Sequence, residues 1–112
     1  MSSAIRARQL ALGLPEAVEK PHFHKASFRV SNRIFATLDE QKNVLVVKLK
    51  PADHASSIES QPEIFHSVGW EHQGWTGIHL AQISSAQLQA MIVLAWKNVA
   101  PKRAVRAYEE NL

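Results

Sequence analysis

The residues of this chain best suited to chemistry are its cations and its histidines. Nine Lys/Arg and four Asp/Glu fall within residues 1–50, four acids and no Lys or Arg within residues 51–96, and four bases with two acids within residues 97–112. Such segregation within a formal net charge of +3 can build a basic face that attracts polyanions. Phosphate recognition needs several cations spread over one surface. The candidates are Arg29, Arg33, Lys48 and Lys50, with a second group, Lys97, Lys102, Arg103 and Arg106, near the C-terminus. His22 and His24 are spaced i, i+2, which puts both on one face of an extended segment, and His66, His72 and His79 follow further on. A metal site needs three or four convergent ligands with supporting partners. One pair and scattered single histidines do not supply them, so neither a metal nor a cofactor is expected. The chain has no cysteine, which excludes disulfides, thiolate metal sites and a cysteine nucleophile. No nucleotide-binding glycine loop, nucleophile elbow or HExxH zinc motif occurs, Glu71-His72 lacking its second histidine. A non-enzymatic binding protein is therefore the expectation.

Positioning such cations requires strands with one polar face. Leu45, Val47 and Leu49 alternate with Val46, Lys48 and Lys50, which predicts a strand over 44–50 with lysines opposite an apolar face. Upstream, Phe28–Val30 and Ile34–Leu38 flank Ser31-Asn32-Arg33, a hairpin turn. Read as a three-residue loop, it puts Phe28, Val30, Ile34, Ala36 and Leu38 on one face and Arg29 on the other, with Arg33 at the tip. A two-residue loop would instead turn Phe35 inward. The spacing predicts a further strand over 75–80, with Trp75, Gly77 and His79 on one face, and a short strand over 64–68. Ser2-Ser3 cap a first helix that Gly13 would end in a left-handed conformation. Residues 14–18 read as a turn or short helical piece that Pro21 closes. A short helix starts at Asp53 or the residue before it and reaches about Ser60, with Ala55 and Ile58 inward. Ser84 and Gln87 open the clearest helix, to Val99, with Leu88, Met91, Ile92, Ala95 and Val99 as its buried stripe. Pro101 begins a last one over 102–108. Trp70, Trp75 and Trp96 are read as core aromatics, Trp75 mostly buried. The order predicts a single α+β domain over residues 1–112, an antiparallel β-sheet with N-terminal and C-terminal helices packed on one face.

The chain has 112 residues and no apolar run near the ~20 residues that span a bilayer. Arg6 and Arg8 lie inside a helical pattern rather than ahead of an apolar stretch, unlike a signal peptide. A cytoplasmic protein without membrane contact, monomer or weak dimer, is expected.

Several segments recur in a familiar order: Leu14-Pro15-Glu16-Ala17-Val18-Glu19, Phe28-Arg29-Val30, Arg33-Ile34-Phe35-Ala36-Thr37-Leu38, Val46-Val47-Lys48-Leu49, Trp75-Thr76-Gly77-Ile78-His79-Leu80, and a C-terminal helix bearing Trp96 and Val99. Over about residues 10–108 this resembles the MmcQ/YjbR family of small bacterial proteins. The resemblance implies a fold similar to CyaY, the bacterial frataxin, and DNA binding through a double-wing motif. The resemblance carries over no functional residue; strand alternation and the hairpin tip make Arg29, Arg33, Lys48 and Lys50 the candidate contacts to the phosphates of duplex DNA. The alternative is a protein-interaction or small-ligand-binding module. Asn32-Arg33 stands where the family usually has Gly-Lys, and Ala95-Trp96 where it usually has Ser-Tyr. Frataxins bind iron on an acidic helix ridge, whereas residues 4–12 here contain two arginines and no acid, so iron is not implied.

Overall fold

The computed structural model describes residues 2–69 and 71–112. Their order is α1 (Ala4–Leu12), β1 (Val18–His22), β2 (Lys25–Val30), β3 (Arg33–Asp39), β4 (Val44–Lys48), α2 (Pro51–Ser60), β5 (Phe65–Ser67), β6 (Trp75–His79), α3 (Ser85–Val99) and α4 (Lys102–Glu110). The strands form one antiparallel sheet in the order β1-β2-β3-β4-β6-β5. Helices α1 and α3 pack against its central strands. The predicted α+β architecture is the observed one.

The core lies between these two layers. Phe28, Leu38, Leu45, Val47 and Ile78 are fully buried from the sheet side, and Leu88, Ile92 and Trp96 from α3. Each such side chain contributes roughly 1.5–3 kcal/mol by leaving water. Helix α1 presents only Ala7 and Ala11 as fully buried residues, and small side chains let it lie close to α3. Trp96 ties three segments together. Its indole Nε1–H donates to the Pro15 carbonyl at 3.1 Å, and its ring lies 5.4 Å from that of Tyr108 on α4.

The register of the β2–β3 hairpin departs from the three-residue loop. The turn is Ser31-Asn32, both at positive φ (50° and 62°), as a two-residue turn of primed type requires, and Val30 pairs with Arg33. Arg33 is therefore the first residue of β3, not part of the loop. Ile34 then faces away from the core, half-buried, and Phe35 faces in. Ala36 and Leu38 nevertheless stay inside, because the register slips between Phe28 and Arg29: Phe28 pairs with Ala36 and Arg29 with Ile34. The extra residue is Phe35, and the bulge lets two consecutive residues face inward.

Four further expectations change. Residues 18–22 form a strand, and Pro21 sits inside it because β1 is an edge strand that needs no amide donor there. Gly13 ends α1 at φ −75°, its N–H donating to the Gln9 carbonyl, so no left-handed residue is used. Helix α2 starts at Pro51, a favoured first position. His54 faces the core and Ala55 is exposed, with Ile58 half-buried: the inward face is the one that His54 and Ile58 share, four residues apart. The side chain of Trp75 is half-buried because its face of the sheet carries no helix. Trp70 lies outside the described residues.

Gly74 fixes the join between β4 and β6. At φ +82° it lies so close to β4's exit that an added Cβ would fall 1.7 Å from the Leu49 carbonyl oxygen. Its own carbonyl accepts the Leu49 amide at 3.0 Å and the Thr76 hydroxyl at 3.0 Å. Because that hydroxyl donates to Gly74, it can only accept from His54 Nδ1, 2.7 Å away, which fixes the proton on Nδ1 and ties α2 to β6. Gly74→Ala should destabilise the fold by about 3 kcal/mol or more. Urea unfolding checks this, and a midpoint equal to that of the wild type would contradict it.

Candidate nucleic-acid interface

Antiparallel pairing puts directly opposed side chains on the same face, so the register identifies the face turned away from the helices. It carries Lys20 and His22 on β1, Lys25, Ser27 and Arg29 on β2, and Ile34, Thr37 and Asp39 on β3. Val46 and Lys48 follow on β4, Trp75, Gly77 and His79 on β6, and His66 on β5. At its centre is a groove of about 320 Å³ whose floor is Ile34, Val46, Val68 and Trp75, with His22 and Lys25 at one end. It continues past Asp39 and Lys42 toward His66.

The four expected contact residues are not all brought together. Arg29 lies on the open face, half-buried, with Nε donating to Ser27 Oγ at 3.0 Å. Lys48 lies on it too. Its ammonium donates to the Gln73 carbonyl and sits 5.1 Å from the centre of the Trp75 ring. Its backbone carbonyl accepts from Asn98 of α3 at 2.9 Å. Lys50 is beyond the end of β4, exposed at the N-cap of α2. Arg33 is exposed at the hairpin end and shares the register side of Val30, opposite to Arg29. Lys20 and Lys25 join Arg29 and Lys48 instead. Lys20 was missed because residues 18–22 show no apolar alternation, and Lys25 because it precedes the apolar positions Phe28 and Val30 that mark β2. The signal available was polar alternation, Lys20/His22 and Lys25/Ser27/Arg29.

The acids are distributed unevenly. Arg8 on α1 holds both Glu19, at 2.9 Å, and Glu40, which raises its own pKa. Arg103 holds Glu16 at 2.8 Å and keeps that carboxyl below its usual range. Lys97 holds Glu109 at 3.1 Å. Half of the C-terminal cationic group is thus already paired. On the open face the acid is Asp39, whose carboxylate accepts the Lys42 amide at 3.1 Å, which lowers its pKa, with His24 and the nearby lysines adding to the effect. Among the described residues no three His, Asp or Glu side chains group as metal ligands.

A small α+β protein with helices on one side of an antiparallel sheet and cations on the other is the class these features define. The family model described as YjbR matches residues 12–98, and the chain belongs to that family. A crystal structure of Deinococcus radiodurans protein DR2400, whose family-model domain is DUF419, has the same fold. The TM-score is 0.76 at 17% identity, covering 96% of this chain and 88% of that one. No curated protein matches.

At the far end of the groove His66 stacks on His79, ring centres 4.3 Å apart. Its ring lies over Gly77, where a Cβ would come within 2.3 Å of Nε2, and its Nδ1 is buried without a partner. Burial, and secondarily the charge of His79, push the pKa of His66 below that of an ordinary histidine. The unfolded chain therefore takes up the proton first, near pH ~6.5. The stability contributed by neutral His66 is complete above that pH and is lost as pH falls through the depressed folded value. Thermal melts between about pH 7.5 and 4.5 should show a steeper acid decline for the wild type than for His66→Phe. Parallel declines would contradict this origin.

Proposed function

We propose that the protein binds DNA without catalysing a reaction, taking the phosphate backbone on the open face of the sheet. The observation that carries the reading is the placement of Lys20, Lys25, Arg29 and Lys48 on one helix-free face whose strands, among the described residues, add one acid, Asp39. Several cations on one low-dielectric surface attract a polyanion and release its counterions on contact. Lys50, exposed at the start of α2, extends this face as an outer contact, whereas Arg33 at the β2–β3 tip sits on the opposite side. The resemblance to a family described as DNA-binding points the same way. Lys and Arg without neighbouring Asn or Gln favour phosphates over base edges, so binding is weakly sequence-dependent. Helix α4, whose Arg103 is already paired with Glu16, is the less favourable surface.

Fluorescence anisotropy with a labelled duplex, repeated across salt concentrations, tests the reading. The log–log slope should be near −0.9 per phosphate contacted, or about −3 to −4 for four contacts. Reversing Lys20 and Lys25 to Glu should weaken binding roughly tenfold or more on every sequence tried, whereas reversing Lys102 and Arg106 should change little. Loss of binding only with the α4 variants would mean the wrong surface. If no DNA, duplex or single-stranded, binds at about 10 μM in low salt, where nonspecific binders show themselves, the DNA reading fails and a protein-interaction or small-ligand module replaces it.

A further inference from the structure

One residue beside this face is costly in two ways at once. Phe23, in the two-residue turn between β1 and β2, is 91% exposed, although a phenylalanine ordinarily buries its ring. It also holds φ at +59°, a left-handed conformation that is a genuine outlier for a bulky residue. Stability supplies no reason for either feature, and strained positions persist where function requires the side chain they aim. The ring stands edge-on to His22, centres 4.9 Å apart, and His22 begins the groove floored by Ile34, Val46, Val68 and Trp75. Lys25, on the other side of the same turn, also lines that groove.

An intact duplex offers this arrangement only its phosphates. Its bases are covered on both faces by their stacked neighbours, so neither the Phe23 ring nor the apolar groove gains a partner. An unpaired base has free faces and an apolar body, and its phosphate falls among Lys20, Lys25 and Arg29. Aromatic side chains interleaved with cations are what single-stranded nucleic acid requires. Resting on the DNA reading above, we propose that the face recognises unpaired nucleotides, in single-stranded or locally opened DNA, with Phe23 as a stacking platform at the hairpin tip and the groove behind it receiving an adjacent base.

The test is anisotropy in low salt with a fluorescein-labelled single strand of about twelve nucleotides and its blunt duplex, for the wild type, Phe23→Ala and Phe23→Tyr. The wild type should bind the single strand about tenfold more tightly than the duplex. Phe23→Ala should lose about tenfold on the single strand and keep its duplex affinity, and Phe23→Tyr should bind as the wild type does. Circular dichroism melts of the variants should stay at or above that of the wild type, since the ring is exposed and its backbone strained. Duplex binding with no preference for the single strand overturns this inference and leaves the DNA reading standing. So does a Phe23→Ala variant that holds the single strand as tightly as the wild type. Failure to bind DNA in either form overturns both.

Discussion

Between Phe28 and Arg29 strand β2 advances one residue while β3 advances two, from Ala36 to Ile34, and that slip decides what each face of the sheet receives. Without the extra residue, alternation would send either Ile34, Ala36 and Leu38 or Phe35 and Thr37 into the core. With it, Phe35, Ala36 and Leu38 are all fully buried, while Ile34 and Thr37 both face outward to line the groove. The core keeps its largest available side chains, and the open face acquires an apolar floor between its cations. Arg29 pairs with Ile34 at the same slip, so the bulge also sets that cation beside one residue of the floor.

Charge is sorted by the same two-sided construction. Glu16, Glu19, Glu40 and Glu109 are held by Arg8, Lys97 and Arg103 on the helices. Exposed pairs of this kind stabilise little individually, and their larger consequence is spatial. Acids gathered by helix cations are not available to neutralise the sheet, and Asp39 is occupied by the Lys42 amide. Lys48 is the most constrained cation of the open face, held at its backbone by Asn98 and at its ammonium by Gln73 and Trp75. Lys20 and Lys25 are less restrained, and phosphate contacts favour cations that can follow an irregular backbone.

Much of this was legible in the sequence, and the exceptions have physical causes. The alternation in 44–50 and 75–80 grouped the side chains there correctly by face up to the strand ends at Lys48 and His79. What misled was the inference that a large aromatic must be buried: Trp75 lies on the alternation phase shared with Lys48, not on that of Ile78. Strand β1 was invisible because an edge strand exposed on both faces, Val18-Glu19-Lys20-Pro21-His22, needs neither apolar alternation nor every amide. With β1 went Lys20, while Lys25 opens β2 ahead of its first large apolar residue, Phe28. The hairpin turn could be read either way, since a bulge satisfies part of each register and leaves no mark in local composition. His54 was hidden because it and Ala55 both lie one turn from Ile58 and the apolar one of the two was read as inward, whereas the His54 ring is held inside by its bond to Thr76.

The central claim is that the helix-free face is the binding surface. It is tested most directly by following backbone amide signals of the isotope-labelled protein as a short DNA fragment is added. The account predicts shifts concentrated at Lys20, Lys25, Ser27, Arg29, Thr37 and Val46, with α3 and α4 quiet. Shifts concentrated on α4 around Lys102 and Arg106, or no shifts anywhere, would contradict it.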